Sequence, residues 1–208
     1  MTGGYRNLGF LVLGGLMMVT TQSGAKSNDA DFAKSAFARA LVSAGPSHDL
    51  GNAASTYAWL IGVWDVELID FLEDGSQHRQ QGEWYFSWTL EGRAVQDVLI
   101  APRPPERSGT GSRLGNRYGT SIRIYDVNEK LWRVTFINPV TGAHDELTGR
   151  KIGEDVVQEG ERPNGQRIRW VFTHITPNAC LWYGEALQAD GRTWKREAEF
   201  HLRKRTAE

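Results

Sequence analysis

The chain has 208 residues, with 24 Lys+Arg against 25 Asp+Glu and a formal charge of −1; that balance excludes a polybasic nucleic-acid or membrane-surface binder. Hydrophobic residues make up 40% and charged residues 24%, which excludes a disordered chain and suits one domain of ordinary size. The single cysteine, Cys180, excludes an intramolecular disulfide and a cysteine-based zinc site.

At the N-terminus Arg6 precedes an apolar run from Leu8 to Val19, followed by small and polar residues with Ser23 and Ala25 at the exit. The run is too short to cross a hydrocarbon core of about 30 Å as a helix. A basic residue, a short apolar run and a small-residue exit are the parts of a secretory signal peptide. Residues 1–25 are therefore expected to be removed, leaving a periplasmic or secreted protein with no stable membrane insertion. No cysteine follows the run, so a lipoprotein anchor is excluded.

Residues 26–54 read as a helix and linker. Ser27, Asn28 and Asp29 are good N-caps, and Phe32, Ala36, Phe37, Ala40 and Leu41 recur on one helical face until Gly45-Pro46. A second brief helical stretch spans Ala53 to Ile61. From Gly62 the period falls to two. Ten runs follow: Val63–Phe71, Gly82–Trp88, Arg93–Ala101, Tyr118–Tyr125, Leu131–Asn138, Ala143–Lys151, Val156–Arg162, Gln166–Ile175, Cys180–Ala189 and Arg192–Arg203. Their separators include Asp74-Gly75, Asn164-Gly165 and Asp190-Gly191, which are hairpin signals. Short turns make neighbours antiparallel, and closing the meander removes its two edges. The expected fold is all-β, a closed antiparallel up-and-down barrel of about ten strands over residues 55–205, with a two-sheet sandwich as the rival. The one long connection, Pro102 to Asn116, reads as a lid, a portal or an insertion. Its Gly109-x-Gly111-x-x-x-Gly115 spacing is not a dinucleotide fingerprint.

Gly62-Val63-Trp64 at the first strand resembles the Gly-x-Trp start of lipocalin-like (calycin) barrels. Trp84-x-Phe86, the run from Leu90 to Asp97, Trp132-Arg133-Val134 with Asn138-Pro139, and Gln158-Glu159-Gly160 resemble pieces of uncharacterised bacterial lipocalin-like proteins. The resemblance implies a barrel, with a last-strand arginine packed over the first-strand tryptophan; Arg196 or Arg203 could fill that role over Trp64. It does not supply an activity. There is a distant similarity to nitrobindin, a haem barrel with a histidine near its C-terminus, where this chain has His201. His201 shares its phase with Glu197 and Glu199, which predicts an outward side chain, and no cofactor is assigned.

No nucleophile elbow, zinc-protease motif or P-loop is present. His144-Asp145-Glu146 would present at most His144 and Glu146 to one side of a strand, so no metal is assigned. More informative are polar residues that interrupt apolar phases. Gln96 or Asp97 must point inward, and Asn138, His174 and Arg196 share phases with aromatic residues. Buried polar groups need partners, and a mostly apolar cleft with a few converging polar groups is how small-molecule sites are built. The expected site is an aromatic wall of Trp84, Trp88, Trp132, Trp170 and Trp182, with Gln96 or Asp97, Asn138, His174 and Arg196 orienting the polar end of a small apolar or amphipathic ligand. Arg196 would favour a carboxylate or enolate-like oxygen. An alternative is an isomerase, cyclase or dehydratase using His174 or Asp97 as acid/base and Arg196 as oxyanion stabiliser. A third is a structural or partner-binding barrel with a filled interior, its N-terminal helix docked on another subunit.

Overall fold

The computed structural model describes residues 35–103 and 117–206. The expected signal segment, the first part of the predicted helix and most of the Pro102–Asn116 connection lie outside these residues. A short helix, α1 (Ala36–Leu41), is capped by Ser35, whose hydroxyl accepts from the Ala38 N–H at 3.1 Å. Two 3-10 segments follow, His48–Thr56 and Ala58–Leu60. Ten strands complete the chain: β1 (Gly62–Phe71), β2 (Gln77–Thr89), β3 (Ala94–Ala101), β4 (Arg117–Asp126), β5 (Leu131–Asn138), β6 (Ala143–Ile152), β7 (Asp155–Glu161), β8 (Arg167–Thr173), β9 (Ala179–Leu187) and β10 (Trp194–Lys204). Each pairs antiparallel with its neighbours in the chain, and β10 returns to β1. The sheet is thus a closed barrel without edges, as expected.

The two ends of the tube differ. The 3-10 segments plug one end, where Tyr57 and Leu60 are wholly buried. Tyr57 meets Trp132 edge-on at 5.1 Å, and Trp59 meets Trp64 and Phe172 edge-on at 6.2 and 5.8 Å. The Trp64 indole donates to the Leu60 carbonyl at 2.7 Å, tying β1 to the plug. The cation over Trp64 is Lys204, 5.2 Å from the ring, and its ammonium also donates to the Trp59 carbonyl at 3.0 Å. Arg196 and Arg203 do not fill that role. A shorter lysine at the end of β10 reaches both the ring and the plug. Glycine is required where the plug enters: a Cβ at Gly149 would stand 2.4 Å from the Tyr57 hydroxyl.

Candidate functional site

Beyond the plug the interior is not filled. A cavity of about 280 Å³ lies in the other half of the barrel. Its wall is aromatic: Trp84, Phe136, Trp170, Trp182 and Phe200 all line it. The Trp182 and Phe200 rings stack at 4.4 Å, Trp84 and Trp182 pack edge-on at 6.0 Å, and Phe136 and Trp170 edge-on at 5.2 Å. Trp84 points inward because β2 alternates Gly82, Trp84, Phe86 and Trp88 on the buried side. Among the described residues its indole N–H has no acceptor.

Toward the plug the cavity is bounded by an ion pair. Asp97 and Arg123 are 2% and 1% exposed, and an Arg123 NH group donates to Asp97 at 2.5 Å. Asp97 also accepts from the Ser121 backbone N–H at 3.1 Å. The Arg123 Nε donates to the Gln158 side-chain oxygen at 3.3 Å, as does the Tyr57 hydroxyl. The guanidinium lies over the Tyr57 and Phe86 rings at 5.3 and 5.7 Å. A charge so far from water persists only when paired and hydrogen-bonded, and here both members are. Burial pushes the Tyr57 phenol up to about 12, against the opposing pull of Arg123. Tyr57 is therefore a neutral hydroxyl donor at any ordinary pH.

Toward the mouth the lining becomes charged. Arg162 donates twice to Glu197, at 2.6 and 3.0 Å, and Arg117 donates to Asp70 at 2.7 Å. Asn138 also lines this end, but its side-chain oxygen is taken by the Val140 and Thr141 N–H groups of the β5–β6 turn, at 2.9 and 3.1 Å. Asp145 faces the cavity from β6 and is 8% exposed.

The structure thus brings together part of the expected set. Trp84, Asp97, Asn138, Trp170 and Trp182 line the cavity. Trp88 and Trp132 are buried at the plugged end, where they form core rather than cavity wall. Gln96, His174 and Arg196 are corrections to the expected inward set. Gln96 is the outward neighbour of Asp97, and its amide donates to the Thr120 hydroxyl at 3.4 Å. β8 ends at Thr173, and His174 follows with a φ of 50° and an exposed side chain. Arg196 is turned out by a bulge: the β9 register shifts between Arg196 and Ala198, so Glu197 and Ala198 both line the cavity. Outside, Arg196 pairs with Glu185 and Glu199 at 3.1 and 2.6 Å and lies 3.8 Å over the Tyr183 ring. Arg196 therefore does not fill the carboxylate-binding role expected of it inside the barrel. His201 is on the outer face beside Glu199, at 2.9 Å. Cys180 is buried in the core, which pushes its thiol up to about 12 and leaves it unreactive.

Arg123 and Arg162 carry no expectation from the sequence, Asp145 enters it only within His144-Asp145-Glu146, and Glu197, expected outward on the phase of Glu199, is turned inward by the bulge. The signal for Arg123 was present in the inward acid: a buried Asp97 demands a cation across the β3–β4 pairing, where Asp97 faces Ser121. Nothing in the alternation of β10 marks the bulge that brings in Glu197.

No family model matches the chain, and no curated protein matches it. Among solved structures, the S-type phycobiliprotein lyase CPES from Guillardia theta superposes with a TM-score of 0.50 at 8% identity, over 75% of this chain and 94% of the lyase. A redesigned β-barrel, mFAP0, solved bound to DFHBI, superposes with a TM-score of 0.36 at 14% identity, over 70% of this chain and 99% of its own. What the chain shares with the lyase at such identity is the fold, a closed antiparallel barrel.

Proposed function

We propose that this chain is an exported, lipocalin-like barrel that binds a small apolar or amphipathic molecule inside the tube. One observation carries the reading: the plug and lower barrel are packed, yet the upper half keeps an aromatic-walled cavity of about 280 Å³. An apolar chamber with a few polar groups at its ends is the ordinary form of a small-molecule site. Its volume lies at the lower edge of the range of about 300–1,000 Å³ for such sites. That favours one or two fused rings over a haem or a long acyl chain. The dye-bound designed barrel is too distant to add weight. The bacterial lipocalin-like resemblance agrees with the barrel and adds no ligand.

N-phenylnaphthylamine, a neutral dye that brightens on desolvation, tests the reading. It is expected to bind and to quench tryptophan emission, because Trp84, Trp170 and Trp182 line the cavity. Ala143 lies half-buried at the mouth, next to the β5–β6 turn. Ala143→Trp is expected to leave the circular dichroism spectrum unchanged and to weaken dye binding at least about tenfold, roughly 1.4 kcal/mol. Equal dye binding by the variant and the parent would place the dye elsewhere and remove the support.

Export is testable apart from binding. Expression of the full chain in a Gram-negative host is expected to yield periplasmic protein beginning at Lys26 by intact-mass measurement. Recovery of the uncleaved chain in the cytosol would refute the leader.

A further inference from the structure

We infer that the ligand carries a protonated amine and that Asp145 is the acceptor that holds it. The inference rests on the binding reading above and names the polar end of that ligand.

The argument is a balance of charges. Among the described residues four carboxylates line the cavity: Asp70, Asp97, Asp145 and Glu197. Three arginines line it too, and each is committed to one of those acids: Arg117 to Asp70, Arg123 to Asp97 and Arg162 to Glu197, at 2.7, 2.5 and 2.6 Å. Asp145 is left over. Among the described residues its carboxylate has no hydrogen bond and no ion pair, although it is 92% buried, the complement of its 8% exposure. His144, next to it in the chain, points to the opposite, exposed side of β6. Arg162 and then His144 favour the Asp145 charge from a distance and Glu197 opposes it, but neither cation bonds to it, and Arg162 is paired with Glu197 at 2.6 Å. Among the described residues the cavity lining therefore carries one acid more than the arginines paired to it, and a buried charge without a direct partner is costly.

The surroundings suit a cation. Asp145 sits opposite Phe136 in the β5–β6 register, and Phe136 packs against Trp170. Ring faces beside a carboxylate stabilise an ammonium group by cation–π contact as well as by direct pairing. An anionic head would meet the unpaired Asp145, and all three arginines that could offset it are engaged. Burial raises the Asp145 carboxyl above its ordinary range, the shift that an arriving cation would reverse.

Three probes with one ring and different heads test this: phenethylamine, phenethyl alcohol and hydrocinnamate, titrated by calorimetry at neutral pH beside the N-phenylnaphthylamine measurement. The amine is expected to bind at least about tenfold tighter than the alcohol, and the carboxylate weakest. In Asp145→Asn the amine is expected to fall to the level of the alcohol, with the alcohol itself unchanged within about twofold. Asp145→Ser, smaller and equally uncharged, is expected to do the same, and alcohol binding reports that each variant is folded. Dye binding without a preference for the amine, or a preference that survives both substitutions, overturns the amine assignment and leaves the pocket standing. Failure of the dye and all three probes overturns both.

Discussion

Replacing Arg123 by leucine is expected to destabilise the barrel by about 3–5 kcal/mol, the cost of leaving a buried partner charge alone. Asp97 would keep the Ser121 N–H at 3.1 Å but lose Arg123, its only paired cation among the described residues, at 2% exposure. The Gln158 oxygen would lose one of its two donors. The decisive comparison is the double variant Arg123→Leu/Asp97→Asn. Its amide oxygen still accepts from Ser121, and no charge remains, so most of the loss should return. That pattern separates the penalty of an orphaned carboxylate from the packing lost over Tyr57 and Phe86, which the double variant does not restore. Urea unfolding with a shared m-value measures both. A single variant within about 1 kcal/mol of the parent would mean that water reaches Asp97 through the cavity, against its burial.

Arg123 also marks where the chain could be read and where it could not. Eight of the nine connections between successive strands are short, and their Gly, Asn and Asp residues announce the meander directly. Gly75, Gly142, Gly153, Gly165 and Gly191 all take positive φ in such turns. The inward phase of β2 was equally legible, because three wide aromatic residues share it. β4 runs the other way. Arg117, Gly119, Ser121 and Arg123 face the interior, while Ile122 and Ile124 face out, Ile124 at 47% exposure. Alternation shows that two faces exist without showing which is inside, and here the polar face answers to Asp97 and the cavity rather than to the hydrophobic rule. The β10 bulge hides a further step. One extra residue exchanges Arg196 for Glu197 on the inner face, and every site expectation resting on that strand's phase changes with it. The expectation for His174 failed differently: its phase was extended past the true end of β8, into a residue whose left-handed backbone has already left the strand.

Trp64→Ala is expected to cost about 3–5 kcal/mol, the range for truncating a fully buried tryptophan. Lys204→Met should cost no more than about 1 kcal/mol. The contrast follows from what each group does. Trp64 is fully buried at the start of β1, edge-on to Trp59, and its N–H holds the Leu60 carbonyl at 2.7 Å. Removing it opens a void between barrel and plug and strands that carbonyl, so transfer and cavity costs add. Lys204 contributes a cation 5.2 Å from the ring and one hydrogen bond to the Trp59 carbonyl. Burial already disfavours its charged form, lowering its pKa, and methionine keeps the stem packed over the indole. Thermal unfolding of the two variants at one pH measures the difference. If Lys204→Met proved as damaging as Trp64→Ala, the cation would be fastening the plug, and the aromatic packing beneath it would be secondary.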